Sequence, residues 1–260
     1  MMDYQALMEM AALAGEMMLV SGAEVYRVED TVSRMLRQSG LEHIEVFVLA
    51  TGIFASMSDP KVSAITVIRR VREHSTNLNR IYQVNNISRA FCDGRMTVAE
   101  AQAEILRLQD TSLYGFWQKC AGYAMITGFF AVLFSGGLLD CAAAAVVGII
   151  LAMTLAGVSK LQFNDFCQNA AGSFVLGVAA LAIKILLFPA MNLDAVIISA
   201  IMPMVPGVTF TSAIRDTLNG DYSSGAARML EAIVTALAVA AGVGASMALF
   251  HQLTGGGTVW

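Results

Sequence analysis

The pattern of apolar and polar residues over the first 110 positions predicts a small domain that mixes helices and strands. Apolar residues recur at helical spacing through residues 3–20 and again through residues 24–38. Three strand-like runs follow at 43–49, 52–57 and 61–69. Helical spacing then returns at 77–92 and 97–108. The predicted order is ααβββαα, an α+β domain formed by residues 1–112.

Two of these helices have the same start signal. Ser21 precedes Glu24 by three positions, and Thr97 precedes Glu100 by three positions. In such a capping box the hydroxyl and the carboxylate cover free backbone amides of the first helical turn. We therefore expect both boxes to form.

The pattern changes near residue 115, where long apolar stretches replace the amphipathic ones. A helix needs about 20 residues to cross a hydrocarbon layer of about 30 Å. An all-α membrane domain of residues 113–260 is predicted, with five transmembrane helices at about 117–139, 141–158, 166–188, 195–212 and 229–250.

The few basic residues of the second half predict how these helices are oriented. From Cys120 onward only Lys160, Lys184, Arg215 and Arg228 are basic. If the N-terminal domain is cytoplasmic, all of them except Lys184 fall on the cytoplasmic side, as the positive-inside rule requires. The first residues show no signal-peptide pattern. We expect a cytoplasmic N-terminal domain and a C-terminal tail outside.

The composition and the motifs that are absent argue against several classes of function. The chain is 57 % hydrophobic and 14 % charged, which differs from soluble proteins, and its net charge of −4 gives no basic surplus for nucleic acid. Common hydrolase, nucleotide and zinc-protease motifs are absent from the sequence. His43 and His74 have no metal-ligand spacing around them, so no metal and no cofactor is expected.

The most informative chemical feature is the sequence MPMVPG at residues 202–207. Its prolines remove amide donors and clash with the preceding turn, so the fourth span must bend or break. Transporters use such breaks at solute sites, although a purely structural kink is the alternative. Polar residues follow the break and favour a hydrophilic path. The candidates for a substrate pathway are Pro203, Pro206, Gly207, Thr209, Thr211, Arg215, Asp216, Lys184 and Asn169.

Two of these predictions have competing interpretations. Lys184 either snorkels to the outer interface or faces an aqueous path and binds an anion. Asn169 belongs to a polar cluster with Asn164, Asp165 and Gln168, part of which helix capping explains.

Arg228 and Glu231 are spaced to pair across one helical turn. A carboxylate at the start of a membrane helix is a candidate proton carrier, and an interfacial salt bridge is the simpler interpretation. In the N-terminal domain, Glu24, Arg27, Glu29 and Asp30 are candidates for an acid–base site, against the alternative of a solvated helix face with neighbouring ion pairs. Ser21, Glu24 and Arg27 are the candidates whose substitution would test a hydrolase.

Several segments carry a resemblance to a known family. They are Ser21–Asp30, Asn85–Arg89, Gly94–Ala101, Val205–Asp216, Asn219–Asp221 and Gly225–Glu231. In this order they resemble the bacterial threonine/serine exporter family, which includes members that export dicarboxylates such as succinate. The chain looks like the larger, five-span subunit of a split two-component exporter.

The resemblance implies further properties. It implies an inner-membrane location, proton-coupled transport and a second small transmembrane subunit as partner, and a homo-oligomer of the pair is a further expectation. The substrate stays open between an amino acid and a dicarboxylate, since the residues provide charges of both signs. The alternatives are a membrane-anchored sensor whose N-terminal domain binds a metabolite, and a membrane-embedded hydrolase.

Overall fold

The computed structural model describes residues 3–72, 74–110 and 114–253, which are mostly helical with one small sheet. The first half contains α1 (Tyr4–Val20), α2 (Val25–Arg37), β1 (His43–Leu49), β2 (Gly52–Asp59), β3 (Val62–Arg70), α3 (Leu78–Cys92) and α4 (Val98–Asp110). The second half contains α5 (Phe116–Leu133), α6 (Leu138–Val158), α7 (Asp165–Leu186), α8 (Leu193–Ile201), α9 (Gly207–Leu218) and α10 (Tyr222–Leu253). Short 3₁₀ turns at Ser159–Leu161 and Met202–Met204 follow α6 and α8.

The described residues divide into two compact units, and each unit combines two separate stretches of the sequence. Unit 1 contains the described residues up to Asp110 together with Gly207–Glu231. Unit 2 contains the described residues from Tyr114 to Pro206, and the residues of α10 from Ala232 onward. We call Gly207–Glu231 the return segment. The sequence pattern did not predict that it joins unit 1.

Unit 1 is built around α1 and an antiparallel sheet in the order β1-β2-β3. Helix α1 is buried on most sides because it contacts α2, α3, α4, β2 and β3. Its core side chains Leu7, Met10 and Met18 are fully buried. From the sheet, Ile53 and Met57 enter the same core at alternate positions of β2, as the period of a strand requires.

Unit 2 is a helical bundle in which small residues allow close packing. A β-carbon at Gly148 of α6 would overlap the Thr127 hydroxyl of α5. Thr127 Oγ1 also donates a hydrogen bond across this contact to the Ala144 carbonyl, at 2.8 Å. Glycine and alanine on α6 therefore serve helix–helix packing, which is the expected use of such residues in membranes.

The structure changes the bounds of four predicted spans. Helix α5 ends at Leu133, six residues before the predicted end of the first span, and α6 begins at Leu138. Asp140 explains this earlier turn, because its Oδ2 accepts a hydrogen bond from the Gly137 amide (2.8 Å) at the start of α6. At the other end of the chain, α10 begins at Tyr222, seven residues before the predicted fifth span.

The fourth predicted span is broken. Helix α8 ends at Ile201, Val205 has extended backbone angles, and a new helix begins at Gly207. The fourth helix therefore does not continue to Ser212 as predicted, because the proline-containing run interrupts it. The residues that follow the break, Gly207–Glu231, belong to unit 1.

Length and hydropathy identify membrane-capable helices among the described residues. Three qualify: Leu138–Leu161, Asp165–Leu186 and Tyr222–Gln252. The broken pair formed by α8 and α9 makes a fourth if it counts as one span. Helix α5 carries Gln118 and Lys119 in its first turns and does not qualify. The count of five crossings remains a prediction.

Candidate functional site

The first part of the site is the corner between α1 and α2, and here the predicted capping box does not form. Helix α1 ends at Ser21, whose backbone amide donates to the carbonyls of Met17 and Met18 (both 3.1 Å). Gly22 makes the turn with a φ of +88°, a conformation that suits glycine. The Ser21 hydroxyl is buried without a hydrogen-bond partner in the described part of the chain. Ser21 thus ends one helix and does not cap the next.

The cap of α2 comes from the return segment. The Val25 amide donates to Asp216 Oδ1 at 3.1 Å, across 191 positions of sequence. A carboxylate at this place satisfies a free amide and interacts favourably with the partial positive charge of the helix N-terminus. Asp216 was predicted to line a cytoplasmic entrance, but it is fully buried.

Arg228 neutralises this buried carboxylate. Its Nη1 lies 3.3 Å from Asp216 Oδ2, and its Nη2 donates to the Ala23 carbonyl at 2.6 Å. Only 5 % of Arg228 is exposed. The predicted pair between Arg228 and Glu231 is wrong, because the guanidinium turns toward the corner of α1 and α2.

Glu24 forms a second set of ion pairs at the same corner. Its carboxylate contacts Arg27 Nη1 at 3.1 Å and also pairs with Arg215 of the return segment. Burial by itself would raise the pKa of Glu24, but a backbone hydrogen bond and the two guanidinium groups outweigh it, so the pKa lies below its ordinary value. Glu24 is therefore ionised and joins two distant parts of the sequence.

One further hydrogen bond holds the start of α10 against the β1–β2 turn, and another joins β1 to α2. The Ala50 amide donates to Ser224 Oγ at 3.1 Å, and the Val48 amide donates to Glu29 Oε1 at 2.9 Å. Burial raises the pKa of Glu29, the Val48 hydrogen bond opposes this, and the negative charge of Asp221 adds to the rise. The return segment is therefore held in unit 1 by contacts from α9 and α10.

Two adjoining cavities lie beside this cluster within unit 1. The larger, of about 450 Å³, is lined by Ala50, Thr51, Arg70, Val71, Arg72, His74, Ala227, Arg228 and Glu231. The smaller, of about 70 Å³, is lined by Gly22, His74, Ser75, Thr76, Val208, Thr209, Ser212, Arg228 and Glu231. His74, Arg228 and Glu231 border both. We call the larger one the arginine cavity.

Several other predicted site residues lie at the cavities, within α9 or at the helix break. Thr209 and Glu231 line these cavities, and Glu231 is exposed with no ion pair in the described ranges. The Thr211 hydroxyl donates to the carbonyls of Gly207 (2.9 Å) and Val208 (3.0 Å), so it is used within its own helix. Pro203 and Pro206 lie on either side of Val205 at the break.

Unit 2 contains a separate cavity of about 370 Å³ between α5, α6 and α7. Its lining residues are Phe116, Lys119, Cys120, Tyr123, Ala152, Leu155, Ala156, Ser159, Asp165, Gln168 and Asn169. We call it the membrane-unit cavity. It contains one basic and one acidic side chain, Lys119 and Asp165, together with two amides. Asn169 lines this cavity beside Asp165 and Gln168.

Lys184 is not at any of these cavities. Its Nζ donates to the Met191 carbonyl at 2.9 Å, which fixes the turn between α7 and α8. The adjacent Asn192 amide donates to Asp140 Oδ1 at 2.8 Å. The position of Lys184 is thus explained by a backbone contact inside unit 2.

Sequence reasoning missed Arg70, Arg72, His74 and Lys119 as site residues. A signal was present for two of them, since Arg70 and Arg72 are two positions apart at the end of an alternating strand and so share a face. The partner wall, Arg228 and Glu231, could not be assigned to them from spacing, because about 150 residues lie between.

Comparison with known proteins agrees with the motifs brought together here. The ThrE family model of threonine/serine exporters matches residues 9–250. The threonine/serine exporter of Corynebacterium glutamicum is 24 % identical over 253 residues, covering 95 % of this chain and 52 % of that protein. A probable threonine/serine exporter of Mycobacterium tuberculosis (strain ATCC 25618 / H37Rv) is 22 % identical over 240 residues, covering 91 % of this chain and 45 % of that protein. No solved structure matches the chain.

These matches cover nearly the whole chain, while the chain spans about half the length of the curated relatives. The apolar helices of unit 2 and the family match together identify a multi-pass membrane protein. The chain belongs to the threonine/serine exporter family of transporters.

Proposed function

We propose that the chain is an inner-membrane subunit of a proton-coupled exporter for small carboxylated metabolites, either threonine and serine or a dicarboxylate such as succinate. The observation that carries the proposal is the membrane-unit cavity, which Lys119 and Asp165 line from the first turns of α5 and α7, together with the amides of Gln168 and Asn169. A cavity between helices whose wall has charges of both signs and amide groups is suited to a small polar solute.

The chemistry of this cavity favours an amino acid over a dicarboxylate. An amino acid needs a cation for its carboxylate and an anion for its ammonium, and Lys119 and Asp165 supply one of each. Gln168 and Asn169 add amide groups suited to a side-chain hydroxyl. A dicarboxylate would leave Asp165 facing a like charge. Serine and threonine are therefore the preferred substrates for this cavity.

The break at Pro203, Pro206 and Gly207 is a second element of the proposed substrate pathway. Backbone groups released by such a break are tolerated in a membrane only where they meet protein or water. Arg215 and Asp216 follow the break and hold the return segment in unit 1. In this proposal their ion pairs gate access from the cytoplasm, with Thr209 beside them.

Glu231 is the proposed proton-coupling carboxylate, with Arg228 as its neighbour. It is exposed in two adjoining cavities and has no ion pair in the part of the chain that the structure describes. A carboxylate that is free of a fixed partner can bind and release a proton as its surroundings change. Arg228 borders the same cavities and supplies the positive charge that influences this exchange.

Topology and partner complete the proposal. Five crossings with unit 1 in the cytoplasm put Lys160, Arg215 and Arg228 on the cytoplasmic side. A second small transmembrane subunit, which the family resemblance implies, would supply the other part of the path, and the pair would assemble as a homo-oligomer.

Counterflow tests the substrate. The chain and its partner subunit are reconstituted in proteoliposomes, and exchange of labelled serine, threonine and succinate is measured. We expect serine and threonine exchange, reduced about tenfold or more by Lys119→Ala or Asp165→Asn, since each removes a charge-assisted hydrogen bond. Lys160→Ala, an exposed loop lysine outside the cavity, is the matched control.

A separate variant tests the proposed proton coupling. Glu231→Gln should abolish efflux driven by a pH gradient while exchange in counterflow continues. Normal gradient-driven efflux in this variant would remove Glu231 from the mechanism. If both subunits together show no flux of any of the three solutes, the membrane-anchored sensor becomes the better explanation.

A further inference from the structure

We infer that the arginine cavity of unit 1 is a binding site for a small dianion from the cytosol, separate from the membrane-unit cavity proposed for the transported solute. This inference goes beyond the proposed function, because it concerns a ligand that occupies unit 1 whether or not that ligand is transported. All residues that carry it lie within unit 1.

The lining charges define the ligand class. Three arginines, Arg70, Arg72 and Arg228, border a cavity of about 450 Å³ that has Glu231 as its one carboxylate among the described lining residues. Small-molecule sites typically have volumes of about 300–1,000 Å³. A guanidinium binds carboxylate or phosphate oxygens through paired, charge-assisted hydrogen bonds. The cavity therefore suits an anion of metabolite size.

Arg70 and Arg72 differ from most arginines of unit 1. Arg27, Arg34 and Arg69 each pair with a carboxylate on the same unit, and Arg95, Arg107 and Arg215 do so as well. In the described ranges, neither Arg70 nor Arg72 has an ion pair, although both line one cavity with Arg228. Bringing like charges together without a counter-ion is unfavourable. An anion between them removes this repulsion.

The two lining guanidinium groups without an ion pair in the described ranges, Arg70 and Arg72, favour two negative charges on the ligand, and Arg228 adds hydrogen-bond donors from a second wall. Arg70 ends β3 and Arg72 follows it, whereas Arg228 comes from α10. Arg228 is 5 % exposed and is held by Asp216 and the Ala23 carbonyl, so it is a fixed wall of the cavity. A ligand that reaches both walls neutralises Arg70 and Arg72 and accepts hydrogen bonds from Arg228, while the ammonium group of a zwitterion would face three guanidinium groups with Glu231 as its one carboxylate among the described lining residues.

Such a ligand would connect two distant parts of the sequence. One wall belongs to the sheet, and the other, Arg228 and Glu231, belongs to the return segment that begins directly after the helix break. A ligand that binds only the assembled unit stabilises that assembly by mass action. Dianion binding should therefore hold the return segment more tightly in unit 1.

Binding can be measured on the full chain in detergent micelles by titration calorimetry at low ionic strength. The probes are succinate and inorganic phosphate as dianions of different size, and L-serine as a zwitterion. We expect at least one dianion to bind and serine to leave the heat signal unchanged. Succinate binding alone identifies a dicarboxylate site, and phosphate binding alone identifies a compact oxyanion site.

The double variant Arg70→Ala/Arg72→Ala should weaken dianion binding about tenfold or more, because each guanidinium contributes charge-assisted hydrogen bonds. Both residues are exposed, so the fold should persist. Arg37→Ala is the matched control, since Arg37 is exposed and lies outside the cavity. Amide hydrogen exchange of residues 207–231 should slow in the presence of the ligand for wild type and for Arg37→Ala.

Three results would overturn the inference: no dianion binding by the wild-type chain, equal affinity in the double variant, or serine binding as tightly as the dianions. None of them bears on counterflow through the membrane-unit cavity. Loss of flux by Asp165→Asn likewise leaves the dianion titration unaffected, so the two ideas fail separately.

Discussion

The starts of α2 and α4 have the same sequence signal and different structures. At α4, the Thr97 amide and hydroxyl both donate to Glu100 Oε2, at 2.8 and 2.9 Å, and the Glu100 amide donates to Thr97 Oγ1 at 3.3 Å. This is the predicted capping box. At α2, the hydroxyl of Ser21 has no partner in the described residues, and the cap is Asp216 from the return segment.

The difference shows when a local motif gives way to a tertiary contact. The α4 box is exposed, and no other described residue hydrogen-bonds to its side chains. At the α2 corner, Arg27 and Arg215 take the carboxylate of Glu24, and a second carboxylate, Asp216, reaches the free amide. Charged partners make stronger hydrogen bonds than neutral ones, so the tertiary arrangement wins where the corner is buried. Three predictions test this comparison.

The largest effect is expected at Asp216. Asp216→Ala leaves Arg228 buried without its anion and removes the cap of α2, so the free energy of unfolding should fall by about 3–5 kcal/mol. Thermal unfolding of the full chain in detergent, followed by circular dichroism, measures the loss. The double variant Asp216→Ala/Arg228→Met removes both charges and should be more stable than the single variant. A single variant as stable as wild type would show that the α2 corner does not depend on this contact.

An intermediate effect is expected from the two glutamates, because both have a lowered pKa for different reasons. At Glu24, burial opposes the lowering, and a backbone hydrogen bond with the charges of Arg27 and Arg215 prevails. At Glu100 the hydrogen bonds from the Thr97 amide and hydroxyl lower the pKa. A lowered folded-state pKa means that the stabilisation is complete above the ordinary value of 4.5 and is lost as the pH falls through the folded-state pKa.

Glu24→Gln should therefore destabilise the chain by about 1 kcal/mol at pH 7, a difference that shrinks below pH 4.5. Glu100→Gln should show the same direction with pH. High salt distinguishes the two variants. About 1 M salt screens the arginine charges at Glu24 and should reduce the effect of Glu24→Gln on stability, whereas it leaves the local hydrogen bonds of Glu100 nearly unchanged. Unfolding measured at both salt concentrations and across pH checks this. Equal salt sensitivity would contradict the assigned causes.

The smallest effects come from the two hydroxyls, and they make the sharpest contrast. Thr97→Ala removes an exposed helix cap and should cost about 0.5 kcal/mol. Ser21→Ala removes a buried hydroxyl that has no partner in the described part of the chain, so stability should stay unchanged or rise slightly. Both are measured by the same thermal unfolding. If Ser21→Ala costs as much as Thr97→Ala, Ser21 has a capping role after all.

Much of the local structure could be predicted from sequence. The order of elements before residue 110 follows from periodicity, and the break near Val205 follows from the two prolines. Helix ends were less predictable: α5 stops at Leu133 because Asp140 caps the next helix, and apolar composition alone continues through that turn.

The site was predictable only in part. Ser21, Glu24, Arg27, Arg215, Asp216 and Arg228 were each identified as candidates, but they were assigned to separate places. Spacing indicated that Arg228 would pair with Glu231, one turn away, whereas it pairs with Asp216. Sequence spacing alone does not show whether an arginine pairs with a carboxylate on its own helix or with one on another helix. Burial decides which ion pair is stronger.

The sequence by itself determined the alternation of amphipathic and apolar segments, the helix break and the membership of the exporter family, since each depends on residues close together in the chain. Only the tertiary structure decided that residues 207–231 leave the apolar half and join unit 1. It also decided that Asp216 caps α2 and that three arginines meet at one cavity. The physical reason is that buried charges must find partners, and those partners can lie anywhere along the chain.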